Sequence, residues 1–246
     1  MKQTRHLLIA LALGTMLTSC GASVSTATVT GPAAYVDPYI GSGGHGHVFV
    51  GASVPFGAIQ AGPQNIHKGW DWCSGYHHSD SIVIGFAHTH LSGTGCTDMG
   101  DVQIMPYTGE LRSKRGRQED IGGSCSSYYS HDNESVSPGY YSLKMDNGVR
   151  IEMTASTRTA LHRITYPEAE GRRLLINLEE GNGDGAYDTY LRQTDAHTVE
   201  GYRFSKGWGP HKVFFALTTD KPIRSLALFD ADTPSEGSEI RCKGAK

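Results

Sequence analysis

The sequence predicts an all-β protein, an antiparallel β-sandwich, and three observations carry that expectation. After residue 80, strand-sized runs recur roughly every ten residues. Gly, Asn, Asp and Pro stand between them, with 31 glycines and 10 prolines in the chain. No segment sustains the helical period of apolar residues.

The chain opens with a basic start, Lys2, Arg5 and His6, and continues with the apolar run Leu7 to Leu17. That run is too short to span a bilayer stably. Leu17-Thr18-Ser19-Cys20 follows, which has the form of a lipoprotein processing site. Residues 1–19 are therefore expected to be a lipoprotein signal peptide, with Cys20 the lipidated first residue of the mature chain and its link to a membrane. An ordinary signal peptide, in which Cys20 is incidental, is the alternative, and either one means export. The expected location is that of an outer-membrane or periplasmic lipoprotein of a bacterium. Residues 20–34, mostly small and polar, read as a flexible tether, and residues 35–246 as the sandwich domain.

The formal net charge is −3, and no basic patch suggests nucleic acid. Cys73, Cys96, Cys125 and Cys242 follow Cys20, and no C-x-x-C pair is present. Both disulfides and buried free thiols remain open.

Taken in order, Gly41 to Gly75 is rich in Gly, Pro, His and Trp and has neither period, which marks a long functional loop region. Ser81 to Ala87 is a short apolar strand, and Asp101 to Met105 alternates as a half-buried strand should. Leu111 to Asp132 is polar and reads as an exposed loop. Asp146-Asn147-Gly148 supplies the left-handed turn of a hairpin inside YYSLKMDNGVRIEMTAS. RTALHRITYP, RRLLINLE, HTVEGYRFS and HKVFFALTTD continue the strands. The ending GSEIRCKGAK reads as a strand just starting, and hence as a truncated domain.

Several motifs invite chemistry. Gly41 to Gly46 fits G-x-G-x-x-G, but Pro38 interrupts what precedes it, and Gly51, Pro55 and Gly57 prevent a helix after it. A glycine-shaped loop is the expectation. His45/His47, His77/His78 and His88/His90 are close pairs, with Asp98 and Asp101 available as further ligands. Such groups serve a metal or a hydrogen-bonded cleft, and no standard zinc framework favours the first. Glu180 to Gly185 resembles half of an EF-hand loop, but Leu191 stands where the bidentate glutamate belongs, so a polar turn is expected. Cys96 lacks an identifiable third group for a Cys–His nucleophile, and the adjacent Ser130-His131-Asp132 is not how a triad assembles. Trp70 and Trp72 suit the apolar face of a sugar, and serve equally as core anchors.

Three stretches carry a resemblance: Tyr35 to Asn65 (YVDPYIGSGGHGHVFVGASVPFGAIQAGPQN), Gly69 to Pro106 (GWDWCSGYHHSDSIVIGFAHTHLSGTGCTDMGDVQIMP), and the later strands. They resemble the amino-terminal domain of glycoside hydrolase family 92, a family of exported, calcium-dependent, inverting exo-α-mannosidases. The resemblance implies a β-sandwich packed on an (α/α)6 barrel domain, with the active site at their junction and α-mannoside glycans as substrates. The motif positions carried over as substrate-binding or domain-interface residues are His45, His47, Trp70, Trp72, Tyr76, His88, His90, Cys96 and Asp101. No catalytic residue and no metal ligand is assigned in this chain. The family's catalytic carboxylates and calcium ligands belong to the barrel domain, which would have to be supplied in cis or in trans. The alternative is a lipid-anchored module that binds mannan or N-glycans without cleaving them.

Overall fold

The computed structural model describes residues 30–116 and 121–244. The signal segment, Cys20 and all of the expected tether up to residue 29 lie outside these residues. Gly31–Tyr35, at the tether's end, forms a 3-10 turn that buries nothing.

Among the described residues, three larger antiparallel sheets and two two-stranded ones form the domain. The first holds, in spatial order, Ala52–Ser53, Gln60–Gln64, Gly85–Ala87, Gln103–Thr108 and Arg172–Asn177. The second is Ala160–Thr165, Arg150–Ala155, Tyr140–Lys144 and Glu134–Ser137. The third is Pro210–Thr218, Thr198–Lys206, Gly185–Gln193 and Glu239–Lys243.

The main core lies between the first two sheets. Ala61, Phe86, Ile104 and Tyr107 meet Tyr141, Leu143, Ile151 and Met153, all nearly inaccessible. A smaller cluster of Val102, Leu178, Leu191 and Leu228 seats the third sheet, and Ile176 packs against both clusters. Burying side chains of this size favours the fold by roughly 1.5–3 kcal/mol each.

The predicted hairpin is present. Met145 and Val149 close the turn, with Gly148 at φ +85°, and Tyr140–Lys144 pairs with Arg150–Ala155. The run Ser81 to Ala87 is two strands rather than one: Ile82–Val83 pairs with Ser127–Tyr128, while Gly85–Ala87 turns to the first sheet. The strand expected to be half-buried begins at Gln103 and is buried on both faces, because it is internal to the first sheet and that sheet is covered on two sides. The segment after Leu111 is also less exposed than its polarity suggests. Ser124, Cys125, Ser127 and Tyr129 are buried, and the Arg112 guanidinium donates to the Ser124 carbonyl at 2.7 Å.

Two strands lack a readable signal. Gln60–Gln64 contains Gly62 and Pro63, both strand breakers by rule. Its glycine is required, since a Cβ at Gly62 would stand 2.4 Å from the Val50 carbonyl oxygen. Gly185–Gln193 begins inside the glycine-rich turn and carries a bulge between Ala186 and Asp188.

Candidate functional site

Three loops converge: Gly41 to His47, Gly69 to Cys73 and Gly93 to Cys96. The first is closed by glycine. A Cβ at Gly46 would lie 2.1 Å from the Gly41 oxygen, and that oxygen accepts from the Val48 amide. No helix follows, so the G-x-G-x-x-G stretch is a tight turn. Backbone strain gathers in this part of the chain. His47, Phe56, Met99 and Val102 all hold positive φ, which costs a branched or bulky residue of order 1–3 kcal/mol. Phe56 is also fully exposed, a combination that packing alone does not explain.

Trp70 and Asp71 stand at the centre. The Trp70 indole N–H donates to the Gly95 carbonyl at 2.9 Å, His47 meets the ring edge-on at 4.2 Å, and the side chain remains 59% exposed. It forms a fixed aromatic platform. Beside it, Asp71 Oδ1 is 2.6 Å from His45 Nδ1 and 3.4 Å from His47 Nε2. The hydrogen bond from His45, with a weaker one from His47, holds the Asp71 carboxyl below the usual carboxylate range. An apolar face edged by a carboxylate and an imidazole suits a polyhydroxylated ring. Asp71 sits inside the GWDWC stretch yet was not among the expected site residues. Its position between the two tryptophans is the signal that marks it.

The other motif residues occupy different environments. Trp72 is half-buried, stacks on His77 at 4.4 Å and donates to Asp80 at 2.9 Å, which makes it an anchor for the loop. Tyr76 is buried and donates to Glu134 at 3.0 Å. His88 is held by the Val102 carbonyl and by His162 Nε2, 2.9 Å away. His90 is buried, bonded through Nδ1 to the Gln60 oxygen at 2.8 Å and stacked by Phe49 at 4.7 Å. Cys96, partly exposed, and buried Cys73 both contact Thr94, and all four described cysteines are free thiols.

Asp101 is wholly buried in an ionic cluster. Arg203 Nη1 lies 2.6 Å from Asp101 and 2.7 Å from Asp184, and its Nη2 lies 3.0 Å from Asp184. His211 Nε2 adds a contact to Asp101 at 3.1 Å, and Thr89 donates to the same carboxylate at 2.6 Å. Asp98, alongside, accepts the Met99 and Gly209 amides. The cluster joins the third sheet to the loop ahead of the first sheet's strand Gln103–Thr108.

Asp184, the best oxygen donor of the EF-hand-like turn, has both carboxylate oxygens taken by a guanidinium. A calcium ion needs six to eight oxygen ligands, so these residues do not fit one.

Residues 35–245 match the glycosyl hydrolase family 92 N-terminal domain. A family GH92 α-mannosidase of Bacteroides thetaiotaomicron, BT3965, solved with mannoimidazole, is 35% identical with a TM-score of 0.82, over 86% of this chain and 29% of that one. The GH92 inverting mannosidase BT2199 from the same species, at 24% identity and a TM-score of 0.70 over 86% of this chain and 28% of its own, shares the fold. An uncharacterized secreted glycosidase of Arthroderma benhamiae is 32% identical over 158 residues, 61% of this chain and 18% of that protein. The chain thus spans less than a third of the length of these relatives. No helix among the described residues is long and apolar enough to cross a membrane. With its antiparallel sheets and loop cluster, the chain belongs to glycosyl hydrolase family 92, over the length of that family's N-terminal domain.

Proposed function

We propose that this chain is the sandwich part of an exported, calcium-dependent, inverting exo-α-mannosidase, and that its Trp70 loops form one wall of the mannose pocket. The observation that carries this is the Trp70 platform beside the His45–Asp71 pair, in a chain 35% identical to an α-mannosidase. Inversion requires one carboxylic acid on the leaving oxygen and a second carboxylate activating water. Among the site carboxylates, Asp71 is paired with His45, while Asp98 and Asp101 are buried and bonded. In this reading the acid, the base and the calcium ligands belong to the (α/α)6 domain, joined in cis or in trans. Residues 1–19 and Cys20 direct export and lipid anchoring in this reading.

The high exposure of Trp70 also favours a second reading, a glycan-binding module without hydrolysis. Titration of methyl α-mannoside into the purified chain, followed by tryptophan fluorescence, tests the shared part of both. Replacing Trp70 with Ala is expected to weaken any association roughly tenfold. The same affinity in Trp70→Ala would remove the platform from the site. Sub-millimolar binding by the chain alone would favour the module.

A further inference from the structure

We propose that Trp208 is a second sugar platform, and that the site takes an extended α-mannoside chain rather than a single mannose unit. This rests on Trp70 holding a mannose unit. Trp208 is the middle residue of the turn Gly207-Trp208-Gly209, which joins the strands Thr198–Lys206 and Pro210–Thr218. Its side chain is 76% exposed and makes no ring contact or hydrogen bond among the described residues. Tryptophan gains more from apolar contact than most side chains do, and this one gains little within the chain.

The turn that carries it is fixed on both sides. Buried Asp98 accepts the Gly209 amide through Oδ2 at 3.2 Å, and His211 Nδ1 donates to the Gly209 carbonyl at 3.2 Å. A Cβ at Gly207 would stand 2.4 Å from Asp98 Oδ1 and 2.8 Å from the Asp184 Cβ, so a glycine is required for this close approach. Asp184 is itself held by Arg203. The indole therefore projects from a rigid base while most of its surface is left to solvent.

Two short routes tie that base to Trp70. Asp98 follows by three positions Gly95, whose carbonyl accepts the Trp70 indole N–H at 2.9 Å, and three extended residues span at most about 11 Å. Asp184 follows by two positions Asn182, whose side chain donates at 2.7 Å to the carbonyl of Cys73, the residue that caps the Trp70 turn. Two exposed indoles are thus presented from one base, at a spacing that linked sugar rings bridge. An indole offers an apolar face and one N–H donor, which suits the C–H face and hydroxyl rim of a pyranose. The glycines on either side of Trp208 carry no side chain to extend it into the contiguous apolar patch that marks a protein interface.

The test is titration of the purified chain with methyl α-mannoside and, separately, with a linear α-mannotetraose, read by nuclear magnetic resonance of the three tryptophan indole N–H groups. The Trp208 signal is expected to move with the tetraose and to stay in place with the monosaccharide. The tetraose should bind about tenfold more tightly than methyl α-mannoside. Trp208→Ala should erase that gain and leave methyl α-mannoside affinity unchanged, whereas Trp70→Ala should weaken both sugars. Equal affinity of the parent for both sugars, or a Trp208 signal unmoved at saturating tetraose, would overturn the second platform and leave the Trp70 reading intact. Conversely, a tetraose-dependent Trp208 shift with no effect of Trp70→Ala on either sugar would support Trp208 as a platform and remove the Trp70 reading. No response of the folded parent to either sugar would overturn both.

Discussion

Replacing Arg203 with Leu is expected to destabilise the domain by about 3–5 kcal/mol, the cost of leaving a buried ion cluster without its cation. Arg203 is wholly buried, and its guanidinium bridges Asp101 and Asp184 while its Nε donates to the Leu178 carbonyl at 2.9 Å. Without it, two buried carboxylates face each other with the His211 ring and, at Asp101, the Thr89 hydroxyl beside them. Because a domain's whole stability is about 5–15 kcal/mol, the variant should populate unfolded chain at moderate denaturant. Adding Asp184→Asn to Arg203→Leu should restore part of the loss by removing one orphaned charge. Urea denaturation at neutral pH measures both. A loss under about 1 kcal/mol would mean that water reaches the cluster and that it does not lock the third sheet to the first.

The second large effect is acid instability beginning near pH 6.5. Burial pushes His90 down to about 4 and His162 down to about 3, the latter with help from neighbouring His88, which burial also lowers. The folded state keeps these imidazoles neutral while the unfolded chain protonates them near 6.5. Their stabilising contribution is therefore complete above about pH 6.5 and is lost as pH falls toward 4 and 3. The slope reaches about 1.4 kcal/mol per pH unit for each histidine well below 6.5. Glu152, drawn down to about 2 chiefly by its hydrogen bonds from Arg163, acts in the same direction only below the ordinary glutamate range. The window from pH 6.5 to 5 thus belongs to the histidines. Denaturation midpoints across that window should fall steeply in the parent chain and less steeply in His162→Gln. A flat profile would show that these imidazoles are solvated in the folded state.

The all-β architecture was legible because its signals are local. Alternation in Tyr140 to Ala155 and the Asp146-Asn147-Gly148 turn specify a hairpin without reference to the rest of the molecule. Gln60–Gln64 was hidden because its Gly62-Pro63 pair answers to close backbone approach and not to strand propensity. The site follows the same division. Trp70 and His45 could be nominated from the crowding of aromatic and imidazole groups in the loops. The partnership of Asp101 with Arg203 could not, since it joins residues about a hundred positions apart. Nor could Glu134, a single carboxylate on an unremarkable strand whose importance lies in three donors from elsewhere. Long-range polar contacts leave no period in a sequence, and buried charge is recognised only once its partner is placed.

Under the proposed function, this chain furnishes part of a mannosidase site and needs an (α/α)6 domain to complete it. The most direct test is mannose release from an α-mannoside in the presence of calcium, by residues 21–246 alone and with a family 92 barrel domain added as a separate chain. No turnover by the sandwich alone, and measurable release when both folded chains are mixed, are the expected results. Turnover by the sandwich alone would contradict the proposed function, because the acid and base would then have to lie within this chain.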